Sequence, residues 1–249
     1  YWGADRLLYL TQRLDRQKLN RFKDAPPELA SLIEATRFKL PATPPAAAKA
    51  LPPLELFYSF RSPYSYLSLK ATFAIAKSFG LRLVIRPVLP MVQRGFEMPR
   101  AKILYIVKDA NREAKRKKMP FGKIADPVGE GAERCIAAFY YAVAQNRQFD
   151  FVLEAGKAVF AEGIDVATDE GMQVVAERAG LFWPELSEAL KDDEWRHRAK
   201  QNREDLSEVG LWGVPVIKIG DAAFWGQDRD WMIARHIEDL CNSGEGIMV

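Results

Sequence analysis

Residues 99–209 carry helical periodicity in several blocks and no strand pattern, so any sheet must be built from the segments on either side. The blocks fall at 99–118, 129–146, 149–161, 168–179, 184–191 and 193–208. Ahead of them, Leu54 to Phe60 (LELFYSF) is short, apolar and aromatic, which predicts a buried strand. Ser62-Pro63 opens a helix running to about Phe79 and ended by Gly80, and Leu81 to Val88 (LRLVIRPV) predicts a second strand. Strand, helix, strand predicts a parallel pair joined by a right-handed crossover. Behind the helical blocks, Val214 to Ile219 (VPVIKI) and Ala222 to Trp225 flank a Gly220-Asp221 turn, a hairpin signature. A last helix is predicted to start near Asp228.

That order, a βαβ unit, a helical block and then ββα, is an α/β thioredoxin-type core with a large helical insertion at about 99–209. Of the 249 residues, 48% are hydrophobic and 28% charged, which excludes a disordered or a collagen-like chain. A net charge of +3 is too small to argue for nucleic acid without a concentrated patch. The one dense cationic run, Arg112 to Lys118 (REAKRKK), lies in a helical pattern and reads as a solvated helix face. Two cysteines, Cys135 and Cys241, exclude a disulfide framework and a multi-cysteine zinc site. Cys135, in CIAAFYYAV, reads as a buried, inert thiol. Few cysteines and no secretory segment suit the cytoplasm. No apolar run approaches the ~20 residues of a membrane span, so no membrane partner is expected. His197 and His236 have no metal-ligand neighbour at suitable spacing, and no metal is expected.

An internal echo bears on domain organisation. Residues 1–14 read YWGADRLLYLTQRL and residues 224–237 read FWGQDRDWMIARHI. Trp2, Gly3, Asp5 and Arg6 match Trp225, Gly226, Asp228 and Arg229, while Leu10 and Leu14 fall opposite Ile233 and Ile237. In both copies an aromatic-Trp-Gly turn leads into an amphipathic helix. Self-similarity at this distance suggests tandem domains. The chain opens on Tyr1, not Met, and residues 1–22 are expected to be the last turn and helix of a preceding thioredoxin-like copy. Residues 23–53, rich in Pro and Ala, read as a semi-rigid linker with a short helix at Glu28 to Thr36. Residues 54–243 form the domain proper.

Ser62-Pro63-Tyr64-Ser65 stands at a strand-to-helix junction. Ser is a favoured N-cap and Pro a favoured first helical residue, so S-P can serve only to start the helix. A helix N-terminus also stabilises thiolates, and a hydroxyl there can donate a hydrogen bond to one. Further on, Lys102, Tyr105, Asp109 and Arg112 share one helix face, with alternating signs that read as a solvated surface.

FYSFRSPYSYL, followed much later by GVPVIKIGDAAFWGQDR, resembles the DsbA-like thioredoxin superfamily. Within it, the segments are similar to the branch of kappa-class glutathione transferases and 2-hydroxychromene-2-carboxylate isomerases, over about residues 54–241. The disulfide oxidoreductases carry C-P-x-C where this chain has Ser62 and Ser65, so dithiol exchange has no thiols here. The resemblance implies that glutathione is the cosubstrate and that Ser62 activates its thiol. It implies a cis Pro215, with the backbone of Val214 pairing with the ligand's cysteinyl part. Gln227 and Asp228 match positions that hold the γ-glutamyl end, and Lys102, after Pro99, matches the lysine that reaches the glycyl carboxylate. Arg61, Tyr64, Phe96 and Tyr105 are the expected substrate-pocket residues. One departure stands out: the family often has Asn after a Gly ahead of this helix, and here Gly95 is followed by Phe96 and Glu97. An amide donor is exchanged for an aromatic wall.

The expected function is therefore a glutathione-dependent isomerase or transferase acting on an apolar or aromatic small-molecule electrophile. The expected partners are that electrophile and the preceding thioredoxin-like domain, with a homodimer left open. The alternative is a catalytically silent thioredoxin-like module in a tandem protein. A weaker one is a disulfide oxidoreductase acting through the preceding copy.

Overall fold

The computed structural model describes residues 6–18 and 38–243. The turn at Tyr1 to Gly3 and the predicted helix at Glu28 to Thr36 lie outside the described residues. Strands β1 (Leu54–Tyr58), β2 (Leu83–Pro87), β3 (Val216–Ile219) and β4 (Ala222–Trp225) form one sheet in the order β2-β1-β3-β4. β1 and β2 run parallel, with Leu56 opposite Ile85, and the other two pairings are antiparallel. The predicted strand at 54–60 stops at Tyr58, and the one at 81–88 is trimmed to 83–87. Val214 and Pro215 precede β3 instead of belonging to it, and the bond between them is cis.

Both faces of the sheet are covered, which is why its strands read as nearly continuous apolar runs. Leu54, Leu56 and Tyr58 point into the main core, where Ile217 and Ile219 join them. Phe57 and Val216 point the other way, onto Val88 and Leu206. Helix α1 (Leu7–Arg16) precedes the sheet in sequence, and α2 (Pro63–Phe79) is the crossover between β1 and β2. α2 begins on the Ser62 cap with Pro63 in its first turn and ends at Gly80 in the left-handed region, φ +69°.

The helical insertion comprises α3 (Arg100–Lys117), α4 (Glu130–Ala144), α5 (Gln148–Ala161), α6 (Asp169–Arg178), α7 (Trp183–Ala189) and α8 (Glu194–Glu208). The last helix, α9 (Asp230–Ser243), starts two residues later than predicted, which leaves Gln227 and Asp228 in the turn ahead of it. α5 crosses α2 at Gly156, where a Cβ would stand 2.3 Å from the Tyr66 ring. The second half of the expected linker is packed on the domain. Ala48, in a short 3-10 turn at Ala46–Ala50, is 1% exposed, and Phe38, Leu40 and Leu51 lie against the main core.

The cationic run on α3 is solvated only in part: Lys115, Arg116 and Lys118 are exposed, whereas Arg112 and Lys117 are not. Arg112 pairs with Asp109 at 2.7 Å and Arg116 with Glu113 at 2.8 Å. The Lys117 ammonium is largely buried, donating to the Gln227 carbonyl at 2.7 Å and lying 3.6 Å from Asp230. Asp109 and Glu113 are each 1% exposed, so the Lys102–Arg112 face is not a solvated surface. Residues 109, 113 and 117 form an i, i+4 stripe turned towards the start of α9. Its partners come from distant parts of the chain, which local charge patterning does not register.

Candidate functional site

Ser62 caps α2 and faces the segment ahead of β3. Its Oγ accepts from the Ser65 N–H at 3.1 Å and donates to the Val214 carbonyl at 3.4 Å. The two halves of the sequence motif, S-P-Y-S and G-V-P, thus meet at one hydroxyl. Trp225 on β4 covers Gly213, where a Cβ would lie 2.4 Å from the indole ring, so only glycine lets that ring lie flat on the backbone ahead of Val214. The Pro215 carbonyl accepts from the Gly226 N–H at 3.0 Å, which ties the turn before α9 to the same place.

Beside Ser62 opens a cavity of about 220 Å³. Arg61, Ser62, Tyr64 and Val214 line it, together with Met91, Met98, Ile103, Ile106, Ile124 and Phe160. Most of these apolar walls come from the loop after β2 and from α3, and sequence reasoning missed them. Their signal was present as Met91 and Met98 bracketing a loop and as apolar residues on the first turns of α3. At the mouth, Arg61 grips Asp126 with two hydrogen bonds, 2.6 and 2.7 Å. That pairing raises the Arg61 pKa and lowers that of Asp126.

Phe96 and Tyr105 do not line this cavity. Phe96 stacks on Trp212, centroids 5.6 Å apart, and Trp212 meets Trp225 edge-on at 5.1 Å. The Lys102 ammonium sits 5.7 Å from the Trp212 ring centre, and the Arg94 guanidinium 5.5 Å from that of Phe96. Tyr105 faces the Arg112 guanidinium at 5.9 Å.

A buried polar cluster lies behind the cavity wall. The Tyr64 hydroxyl donates to Asp109 at 2.9 Å, and burial, then the Asp109 charge, raises its pKa. The Arg6 guanidinium also donates to Asp109, at 2.9 and 3.0 Å, and reaches Asp228 at 3.2 Å. Glu113 accepts from Tyr9, from Arg116 and, at 2.7 Å, from the Gln227 amide. Burial alone would raise its pKa. The hydrogen bonds from Arg116, Tyr9 and Gln227 and the charge of Arg116 outweigh burial and hold the carboxyl down at about 2. The structure therefore gathers Ser62, Val214, Arg61 and Tyr64 at one cavity, and joins Asp228 to it through Tyr64, Asp109 and Arg6, with Gln227 tied in through Glu113.

Among the described residues no helix is long and apolar enough to cross a membrane. A 2-hydroxychromene-2-carboxylate isomerase of Pseudomonas putida is 24% identical over 196 residues, which covers 76% of this chain and 95% of that one. The solved structure of a 2-hydroxychromene-2-carboxylate isomerase superposes with a TM-score of 0.63 over 76% of this chain and 96% of its own, at 24% identity. The cytosolic disulfide reductase DsbM of Pseudomonas aeruginosa, solved with GSH, gives 0.57 over 77% of this chain and 100% of its own, at 18% identity. The fold is thus the DsbA-like thioredoxin fold, and the relatives in sequence include isomerases. The family described as DSBA-like thioredoxin domain matches residues 53–238, from β1 through the helical insertion into α9, and the chain belongs to that family.

Proposed function

We propose that this chain is a glutathione-dependent isomerase acting on an apolar or aromatic electrophile. The observation that carries the reading is the Ser62 hydroxyl. It stands at the N-terminus of α2, aimed at the Val214 carbonyl beside the cis bond to Pro215, and opens onto an apolar cavity. Isomerases among the relatives in sequence, and a fold neighbour solved with GSH, support it.

The residues present fit glutathione at its sulfur end. The Ser62 hydroxyl and the positive end of the α2 dipole would suit a thiolate, and the backbone of Val214 would pair with the cysteinyl part. Lys102 would hold the glycyl carboxylate. Gln227 and Asp228 would hold the γ-glutamyl end, where Asp228 shares its charge with Arg6. When bound, glutathione would supply a thiolate nucleophile that adds reversibly to an electrophilic carbon and leaves unchanged. Ser62 would give that thiolate a hydrogen bond. A charge-assisted hydrogen bond is worth about 1.5–3 kcal/mol, enough to lower a thiol pKa by roughly one to two. Met91, Met98, Ile103 and Phe160 would exclude water and hold the apolar substrate.

Ser62→Ala should cut turnover far more than it weakens glutathione affinity, whereas Lys102→Ala and Asp228→Asn should raise KM with less effect on kcat. The deciding measurement is the thiolate absorbance of bound glutathione against pH. Equal midpoints in wild type and Ser62→Ala would reduce Ser62 to a helix cap. Loss of that cap costs about 0.5–2 kcal/mol, so melting curves are taken first.

One observation favours a second reading, a catalytically silent binding module: Arg6 already occupies the carboxylate that would meet the ligand's ammonium. Titration calorimetry with glutathione together with a panel of electrophiles separates the two, since the silent module converts none of them whether or not it binds glutathione. Dithiol chemistry has no support at Ser62 and Ser65, and both Cys135 and Cys241 are free.

A further inference from the structure

The acidic stripe of α3 is filled from outside the domain core. Arg6 is 6% exposed and reaches Asp109, Glu113 and Asp228 at 2.8, 3.9 and 3.2 Å, while the Tyr9 hydroxyl donates to Glu113. Arg6 is also the last residue of the W-G-A-D-R echo, whose second copy ends at Arg229. The structure extends that echo. α1 begins at Leu7 and α9 at Asp230, each directly after its arginine. The copies differ in what surrounds them. In α9, Ile233, Ala234 and Ile237 are buried in the main core, but the matching Leu10, Thr11 and Leu14 of α1 are only half-buried. Arg6 is buried in the stripe of α3, whereas the Arg229 side chain is 37% exposed and its contact with Asp228 is long, 3.6 Å.

We propose that α1 is the terminal helix of a second thioredoxin-like unit, that Asp109 and Glu113 form the socket for that unit's arginine, and that Arg229 is the reciprocal plug for a like socket on it. One helix, α1, has the sequence of a core-packed terminal helix, but its Leu10 and Leu14 are only half-buried. One arginine, Arg229, has the sequence of a buried plug but not the burial. A single neighbouring unit, related to this one by an approximate twofold, supplies both. The neighbour's chemistry is fixed by complementarity: a helix bearing two carboxylates four residues apart, and an apolar groove for Leu10 and Leu14. This inference stands apart from the glutathione reading and survives its failure.

The chain carries both halves of the device, so a second copy of it can act as the neighbour once its own socket is opened. Sedimentation of the full chain carrying Arg6→Ala and Tyr9→Phe should show a mass moving towards that of two chains. Adding Arg229→Glu should return it to the mass of one. Arg229→Glu alone should leave the melting temperature of the unaltered chain in place. A mass that does not change on opening the socket, or a dimer indifferent to Arg229→Glu, overturns the proposal. A second measurement needs no variant. In the unaltered chain, α1 amides should exchange with solvent at least tenfold faster than those of α9, because Leu10 and Leu14 are only half-buried where Ile233 and Ile237 are buried. Equal protection of α1 and α9 overturns the assignment of α1 to another unit.

Discussion

Glu113 offers a direct test of the buried cluster through pH. Its carboxyl is 1% exposed and is held at about 2 against an ordinary 4.5. A carboxylate whose pKa is depressed in the fold contributes stability that is present above the unfolded value and lost as pH falls towards the folded one. For Glu113 the window runs from about 4.5 down to about 2. The full contribution is on the order of 3 kcal/mol, of which roughly 2 kcal/mol is gone by pH 3. Glu113→Gln removes the titration and keeps the shape. The Gln227 Oε1 is buried without a hydrogen-bond partner, so turning that amide over lets it accept from the new side chain where Nε2 now donates. Urea unfolding of both proteins between pH 7 and pH 3 is the assay. The variant should start below wild type at pH 7, and the gap should close by roughly 2 kcal/mol at pH 3. Parallel curves would mean that Glu113 titrates alike in both states, and the hydrogen bonds assigned to it would not be holding a charge.

Other predictions rest on single contacts. Ser59 is 2% exposed with an unpartnered hydroxyl, so Ser59→Ala should leave stability unchanged or raise it by up to about 1–2 kcal/mol in a chemical melt. Gly213→Ala drives a methyl into the Trp225 ring and should cost about 1–3 kcal/mol, with near-UV circular dichroism reporting the displaced indole. Leu206→Ala empties the smaller core between α8 and the sheet and should cost about 2–5 kcal/mol by denaturant titration.

The fold was legible because its signals are local. Short apolar runs and turn residues place all four strands, and the S-P cap and Gly80 bound α2. Among the trimmed residues, Phe60 and Val88 are buried and Leu81 packs against the core without belonging to a strand, which an apolar run does not distinguish from one. Ser62 and Val214 were legible only as a pair of motifs; neither S-P nor V-P alone says that they touch. The buried face of α3 was hidden for a different reason. Asp109, Glu113 and Lys117 look solvated until Arg6, Gln227 and Asp230 arrive from more than a hundred residues away. The place of Phe96 ahead of α3 suggests a pocket wall, but its ring stacks on Trp212, which no short-range pattern pairs with it.

A serine hydroxyl has one proton to give. In the resting chain that of Ser62 is spent on the Val214 carbonyl, across a long 3.4 Å. In the proposed complex, a peptide-like ligand that offers its own N–H to that carbonyl would compete for the acceptor and weaken the already long bond, leaving the proton freer to turn towards sulfur. Under the proposed function, docking and activation would be coupled: the hydroxyl would be freer when a backbone has been laid beside it, and a small thiol without an amide would meet the donor still engaged.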